Sequence, residues 1–365
     1  MINTERDIYW MKRAIELARK GKGRTSPNPA VGAVIVKNGK VIGEGWHRKA
    51  GKPHAEVGAI RSRKVSPKGS TIYVTLEPCN HHGKTPPCVE AIIEAGIKEV
   101  VIGSKDTSPK KGMKGAAKLR RAGLSVRTGV LKDECDRLIE DFIKHSTTGL
   151  PLVLLKTAIT LDGKVATSSG DSKWISSKES RRYVHALRNE MDAVMIGVET
   201  VLADDPQLTV RHGRPRLNPL RVVVDSSLRI SPDSQIIETA FEVPTIIATT
   251  RKAKIAQIMK LEKCGANVLV SPKGGGKVNL RWLLEELGRR DVMSVMLEGA
   301  GKLAGAAIKE KLVDRVMFFI APKIVGGSHS AVTGFSVVKM ADAWELANVE
   351  VRRSGVDVVI EGRIK

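Results

Sequence analysis

Apolar side chains at Ile8, Met11, Ile15 and Leu17–Ala18 recur at helical spacing, which predicts a helix over residues 5–20 closed by Gly21 and Gly23. The period then shortens. Ser26-Pro27-Asn28-Pro29 reads as a rigid loop, and Ala30–Val36 and Val41–Trp46 read as two strands joined by a turn at Asn38-Gly39. His54 to Arg61 is expected to be helical and Thr71–Leu76 to be the next strand. Pro87, at an N1-like position, opens a helix over Val89–Ala95 and sets Cys88 at its positive end, where a thiolate is favoured. Strands at Val100–Ile102 and Leu124–Arg127 and a helix around 131–144 complete a three-layer α/β unit.

The polar stretch His145–Pro151, carrying Gly149 and Pro151, reads as a hinge and places two domains at 1–147 and 148–365. Beyond it, Leu152–Leu161 is expected to be a strand and Leu161-Asp162-Gly163-Lys164-Val165 a tight turn into another, so Asp162 is a turn residue first. A helix starts at Ser176-Ser177-Lys178-Glu179 and runs to Asn189. Strands at Met191–Val198, Val222–Val224, Thr245–Ala248, Val268–Val270 and Val292–Leu297 follow, with helices near 252–262 and 279–289 between them. Alternating strand and helix predict a mostly parallel sheet.

Composition narrows the class. With 365 residues, 42% hydrophobic and 27% charged, the chain has the make-up of a two-domain globular protein. No apolar run approaches the roughly 20 residues that span a bilayer, and the first residues lack a signal-peptide layout, so no membrane partner and a cytoplasmic location are expected. The four cysteines are too few for a disulfide framework, and Cys135 and Cys264 are expected to be packed thiols. A net charge of +22 favours polyanions, but only 4% aromatic residues leave few platforms for stacking bases. Nucleic acid is therefore not expected as the substrate.

Candidate chemistry concentrates between His54 and Cys88. One imidazole (His54) and two thiols (Cys79, Cys88) suit zinc, and three protein ligands leave a fourth position for water, as catalytic rather than structural zinc sites do. Glu56, two residues from His54, is placed to shuttle protons, and His-x-Glu followed by Pro-Cys is the pattern of zinc-dependent base deaminases. In the second half, Glu298-Gly299-Ala300-Gly301-Lys302-Leu303-Ala304-Gly305 follows a strand and opens a helix running to Glu310. Such a turn lets backbone N–H groups approach a phosphate, although an ordinary tight turn has the same composition.

Taken with Ser26 through Val34, His54-Ala55-Glu56 and Glu77-Pro78-Cys79 through Cys88, the chain resembles the bifunctional riboflavin-biosynthesis family, a pyrimidine deaminase fused to a reductase. Eight residues separate the two cysteines, a spacing of that family, where cytidine and transfer-RNA deaminases have two. The resemblance implies a cytidine-deaminase-like N-terminal domain and a dihydrofolate-reductase-like C-terminal domain. It implies Zn2+ on His54, Cys79 and Cys88, Glu56 as proton shuttle, and Asn28, His47, His81 and Lys84 around the deaminase substrate. For the reductase it implies NADPH against Ala158, Trp174, Thr200, Asp204, Ser226 and the glycine-rich loop Gly299, Ala300, Gly301, Lys302, Leu303, Ala304 and Gly305. Lys156, Ser172, Arg188, Leu208, Arg211 and Glu298 would hold the pyrimidine ribotide, Arg188 and Arg211 as phosphate clamps. Lys302 stands where a small residue is more usual. A homo-oligomer, dimer or tetramer, is expected. Two other readings compete: a nucleic-acid deaminase whose basic second domain grips the polymer, and a deaminase whose second half is only an interaction module.

Overall fold

A computed structural model of the chain describes residues 5–81, 86–107, 114–212, 217–272 and 276–365. It divides into two compact units, Met1–Gly149 and Leu150–Lys365.

The first unit runs α1 (Glu5–Arg19), β1 (Gly32–Lys37), β2 (Lys40–Trp46), α2 (Ala55–Arg61), β3 (Thr71–Leu76), α3 (Cys88–Glu94), β4 (Glu99–Ser104), α4 (Gly115–Arg121), β5 (Ser125–Thr128), α5 (Lys132–Leu138) and α6 (Glu140–Thr148). Its sheet has the order β2-β1-β3-β4-β5, with β1 antiparallel to both neighbours and β3, β4 and β5 parallel. Alternation along each strand sends side chains to opposite faces. Ile72 and Val74 pack among Ala55, Ala59, Val89 and Ile92, whereas Tyr73 joins Met11 and Ile15 of α1 and Cys135 of α5. The three expected layers are present. Gly32 is required where α1 crosses β1: a Cβ there would stand 2.0 Å from the Ala14 carbonyl oxygen.

Three expectations change in this unit. The helix around 131–144 is two helices, broken at Ile139, whose φ of −119° leaves the helical range. Residues 145–148 belong to α6 rather than to a hinge; the helix stops at Gly149, whose φ of 74° forms its left-handed cap. Pro87 is the N-cap of α3, not its first residue, and Cys88 begins the helix.

The second unit continues with β6 (Leu152–Thr160), α7 (Lys178–Arg188), β7 (Ala193–Gly197), α8 (Val198–Asp204), β8 (Leu220–Val224), α9 (Gln235–Glu238), β9 (Thr245–Thr249), α10 (Ile255–Lys263), β10 (Asn267–Val270), α11 (Leu280–Arg289), β11 (Ser294–Glu298), α12 (Lys302–Lys309), β12 (Arg315–Ala321), β13 (Leu346–Ser354) and β14 (Asp357–Ile364). Strand order is β10-β9-β8-β7-β11-β6-β12-β14-β13, parallel from β10 to β12 and closed by the antiparallel pair β14 and β13. Val153, Leu155, Val295 and Leu297 face α11 and α12, while Leu154, Val194 and Met296 face the side of α7, α8 and α9. Strands buried on both faces explain the unbroken apolar runs. The turn at Asp162-Gly163 forms, with Lys164 accepting from Thr160 N–H, but no strand follows it; Lys164 makes only an isolated bridge to Ser330.

Candidate functional site

In the first unit the end of β3 and the starts of α2 and α3 converge. His54 is the N-cap of α2, Cys79 follows β3, and Cys88 opens α3. Their ligating atoms lie within 4.8 Å of one another, and among the described residues no fourth such group joins them. His54 Nδ1 is 3.2 Å from Cys88 Sγ and 3.5 Å from Cys79 Sγ, and the Cys88 backbone N–H donates to Cys79 Sγ. The hydrogen bond from Cys88, with help from His54, lowers the Cys79 thiol, while Cys79 and burial push Cys88 up. One nitrogen and two sulfurs at this spacing fit zinc. Glu56, in the first turn of α2, is 3% exposed; burial, then the Cys79 charge, pushes its carboxyl up to about 7.

Asn28 and His47 stand beside this group. Asn28 Nδ2 lies 3.1 Å from His47 Nε2, and His47 Nδ1 lies 3.2 Å from the Pro53 carbonyl. A carbonyl only accepts, so Nδ1 carries the proton and Nε2 accepts from Asn28. Burial lowers the His47 pKa and keeps the ring neutral. The Asn28 amide is thereby oriented, with one of its two N–H groups directed at His47. His81 is half-buried, and Lys84 lies outside the described residues.

The second unit holds a cavity of about 1050 Å³ at the C-terminal ends of β6, β7 and β11. Its walls bring together Lys156, Ala158, Ser172, Trp174, Arg188, Thr200, Asp204, Leu208, Arg211 and Glu298, with the turn from Gly299 to Ala304. Lys156 and Glu298 are register partners on β6 and β11. Burial lowers the Lys156 pKa, opposed by Glu298; burial pushes Glu298 up, yet Arg188 and Lys156 outweigh it and hold it below the usual carboxylate range. Arg188 spends its fork on Glu298, so of the two expected clamps Arg211 is the one exposed, with Nη1 to Gln207 Oε1 at 3.3 Å. Trp174 is exposed and stacked on the Arg181 guanidinium.

The glycine turn is shaped by its own backbone. Gly299 and Gly301 have φ of 152° and 70°, and Gly301 N–H donates to the Ala331 carbonyl, so that N–H is unavailable to a ligand. The first turn of α12 has no side-chain cap, which leaves the helix start suited to an anion. Two expected residues stand outside the cavity wall. Gly305 is pressed against Thr333, and Ser226 accepts the Val278 N–H at its hydroxyl. Sequence reasoning passed over His185, which lines the same cavity. Its signal was its place three residues before Arg188, on one helix face.

Residues 4–104 match the cytidine and deoxycytidylate deaminase zinc-binding region, and residues 151–360 match the RibD C-terminal domain. The second match alone covers more than half of the chain. The chain belongs to the RibD family. It is 44% identical to the riboflavin biosynthesis protein RibD of Aquifex aeolicus, over 98% of each chain. To the RibD of Escherichia coli it is 39% identical, over 97% of this chain and 98% of the other. The crystal structure of a diaminohydroxyphosphoribosylaminopyrimidine deaminase/5-amino-6-(5-phosphoribosylamino)uracil reductase from Thermotoga maritima superposes with a TM-score of 0.87 at 40% identity, covering 99% of both chains. As a RibD, the protein is a bifunctional deaminase and reductase of riboflavin biosynthesis, with a cytidine-deaminase-like N-terminal domain and a reductase C-terminal domain. Among the described residues no helix is long and apolar enough to cross a membrane.

Proposed function

We propose that the first unit removes the 2-amino group of 2,5-diamino-6-ribosylamino-4(3H)-pyrimidinone 5′-phosphate by hydrolysis. The second unit then reduces the ribosyl group to ribityl, giving 5-amino-6-(ribitylamino)uracil 5′-phosphate. The observation that carries this reading is one chain holding both the His54, Cys79, Cys88 and Glu56 cluster and the Lys156–Glu298 cavity beside an uncapped glycine turn.

In deamination His54, Cys79 and Cys88 would hold Zn2+, which activates a water when bound. Glu56 is suited to both directions of proton transfer because it is buried two residues from His54, where burial pushes its carboxyl up toward the protonated form. Its carboxylate takes one proton from the attacking water and passes it to the ring nitrogen, then takes the second from the new hydroxyl and gives it to the amino group, which departs as ammonia. Asn28, turned by His47, presents its carbonyl oxygen to the pyrimidine; His81 and Lys84 belong to the same substrate set.

In reduction NADPH, when bound, would supply hydride for C1′ of the ribose, which is reached most simply through the ring-opened imine. Ala158, Trp174, Thr200 and Asp204 would line it, with the turn from Gly299 to Ala304 at its phosphates; Ser226 and Gly305 support that wall from behind. Lys156, whose proton burial loosens, and Glu298 orient the sugar, with Ser172 and Leu208 beside them and Arg211 on the 5′-phosphate. A cytoplasmic location and a homo-oligomeric state belong to the same proposal.

Supplying the diaminopyrimidine ribotide with and without NADPH, while following ammonia and NADPH absorbance together, tests the whole reading. Ammonia is expected in both cases and NADPH loss only after deamination. A zinc chelator should stop ammonia release yet spare reduction of the pre-deaminated compound. Absence of ammonia from the zinc-loaded enzyme would refute the proposal.

A further inference from the structure

His185 and Arg188 stand three residues apart on α7, and both reach the same short stretch of backbone. Arg188 Nη1 donates to the Thr209 carbonyl at 3.3 Å, and the backbone N–H of Arg211 donates to His185 Nδ1 at 3.3 Å. Between them Val210 N–H donates to Asn218 Oδ1 at 2.9 Å. Three consecutive residues are thus tied down by side chains from outside the segment. Only the last tie acts on the residue whose guanidinium edges the cavity. His185 is buried at 7% exposure, with the His212 ring edge-on at 4.7 Å between centroids.

An amide N–H can donate only to an imidazole nitrogen that carries a lone pair. The proton of His185 is therefore on Nε2, and the ring is neutral. An imidazolium would turn a second donor toward the Arg211 N–H and break the tie. The surroundings favour the neutral ring: burial disfavours the charged form most, and Arg188, Arg211 and His212 add to that effect, against Glu298 alone.

We propose that His185 is a positioning residue of the reductase: as a neutral Nδ1 acceptor it fixes the backbone of Arg211 so that this guanidinium is presented to the substrate's phosphate. The proposal rests on reading Arg211 as the phosphate-binding side chain. It concerns binding of a phosphate monoester and not the hydride step, so its effect falls on KM and leaves kcat in place. Losing one backbone tie of this kind is expected to change affinity by about 2- to 10-fold.

The test compares full-length wild type, His185→Ala, His185→Asn and Arg211→Ala in the reductase assay, using the deaminated ribosylaminouracil with and without its 5′-phosphate. His185→Ala should raise KM for the phosphorylated substrate within that range while kcat, the NADPH constant and KM for the phosphate-free compound stay put. His185→Asn, whose Oδ1 takes the place of Nδ1, should recover wild-type KM. Equal losses on both substrates, no loss at all, or no recovery in His185→Asn would overturn the positioning role. If His185→Ala does not fold, His185→Gln, which carries its amide at the Nε2 end and leaves the Arg211 N–H unmet, takes its place with the same expectations. Arg211→Ala separates the two levels. An unchanged KM there removes the phosphate reading and the proposal with it, whereas a raised KM beside an unaffected His185→Ala removes only the role of His185.

Discussion

Arg188 and Glu298 form a two-point ion pair, Nε to Oε1 at 2.9 Å and Nη2 to Oε2 at 2.6 Å, with each side chain only 11% exposed. Removing one partner strands the other's charge away from water, which costs about 3–5 kcal/mol. Arg188→Ala should lower the unfolding midpoint of the second unit by roughly 6–20 °C, with the transition of the first unit unmoved in calorimetry. A shift below about 2 °C would mean that the pair does not hold the cavity wall.

Glu56→Gln keeps the shape of a buried side chain but cannot carry a proton. Zinc content, read by atomic absorption, should match wild type, while ammonia release falls by about 10²- to 10⁴-fold. Ammonia release at the wild-type rate would sink the assignment of Glu56 as proton shuttle.

Gly305 leaves no room for a side chain: a Cβ would stand 1.8 Å from the Thr333 carbonyl oxygen. Thr333 N–H donates in turn to the Gly301 carbonyl, so displacement there reaches the glycine turn. Gly305→Ala should cost about 1–3 kcal/mol in stability. It should also raise the apparent NADPH constant about tenfold, equivalent to roughly 1.4 kcal/mol. An unchanged NADPH constant in the folded variant would separate this helix from the cofactor.

Burial and the neighbouring cations bring His185 down to about 4 from an ordinary value of 6.5. Between those values the unfolded chain binds the proton that the folded chain refuses, so unfolding becomes easier as pH falls. The stability that the neutral ring contributes is complete above pH 6.5 and is lost progressively toward pH 4. Thermal midpoints of the second unit measured across that window should fall less steeply in His185→Asn than in wild type. Identical slopes would show that His185 does not titrate between the two states.

Much of the fold was legible because burial leaves a periodic trace. The strands of the first unit and its helices α1, α2 and α3 stand within a residue or two of their expected places, since each strand has an apolar run bounded by turn residues; α4 (Gly115–Arg121) was not expected, and α6 runs on to Thr148. The break at Ile139 was not legible; its apolar side chain continues the helical pattern, and Leu138 and Ile139 are both buried in the core beside Phe142 and Ile143. The strand expected after Asp162-Gly163 failed for the opposite reason. The turn chemistry was right, but no neighbouring backbone offers the following residues more than one bridge.

The sequence by itself determined the chemistry of the metal cluster, because His54, Glu56, Cys79 and Cys88 are residue types whose spacing already restricts what they can do. It also determined that a mostly parallel sheet lies behind the reductase half, through the alternation of strand and helix. Tertiary structure alone decided which polar groups meet. Arg188 and Glu298 lie 110 residues apart and become partners through chain packing around the sheet in which β11 sits between β7 and β6. Local sequence carries no record of such a meeting. Hydrophobic burial sets the order of strands without regard to the charges at their ends, and the ion pair forms where that order happens to bring them.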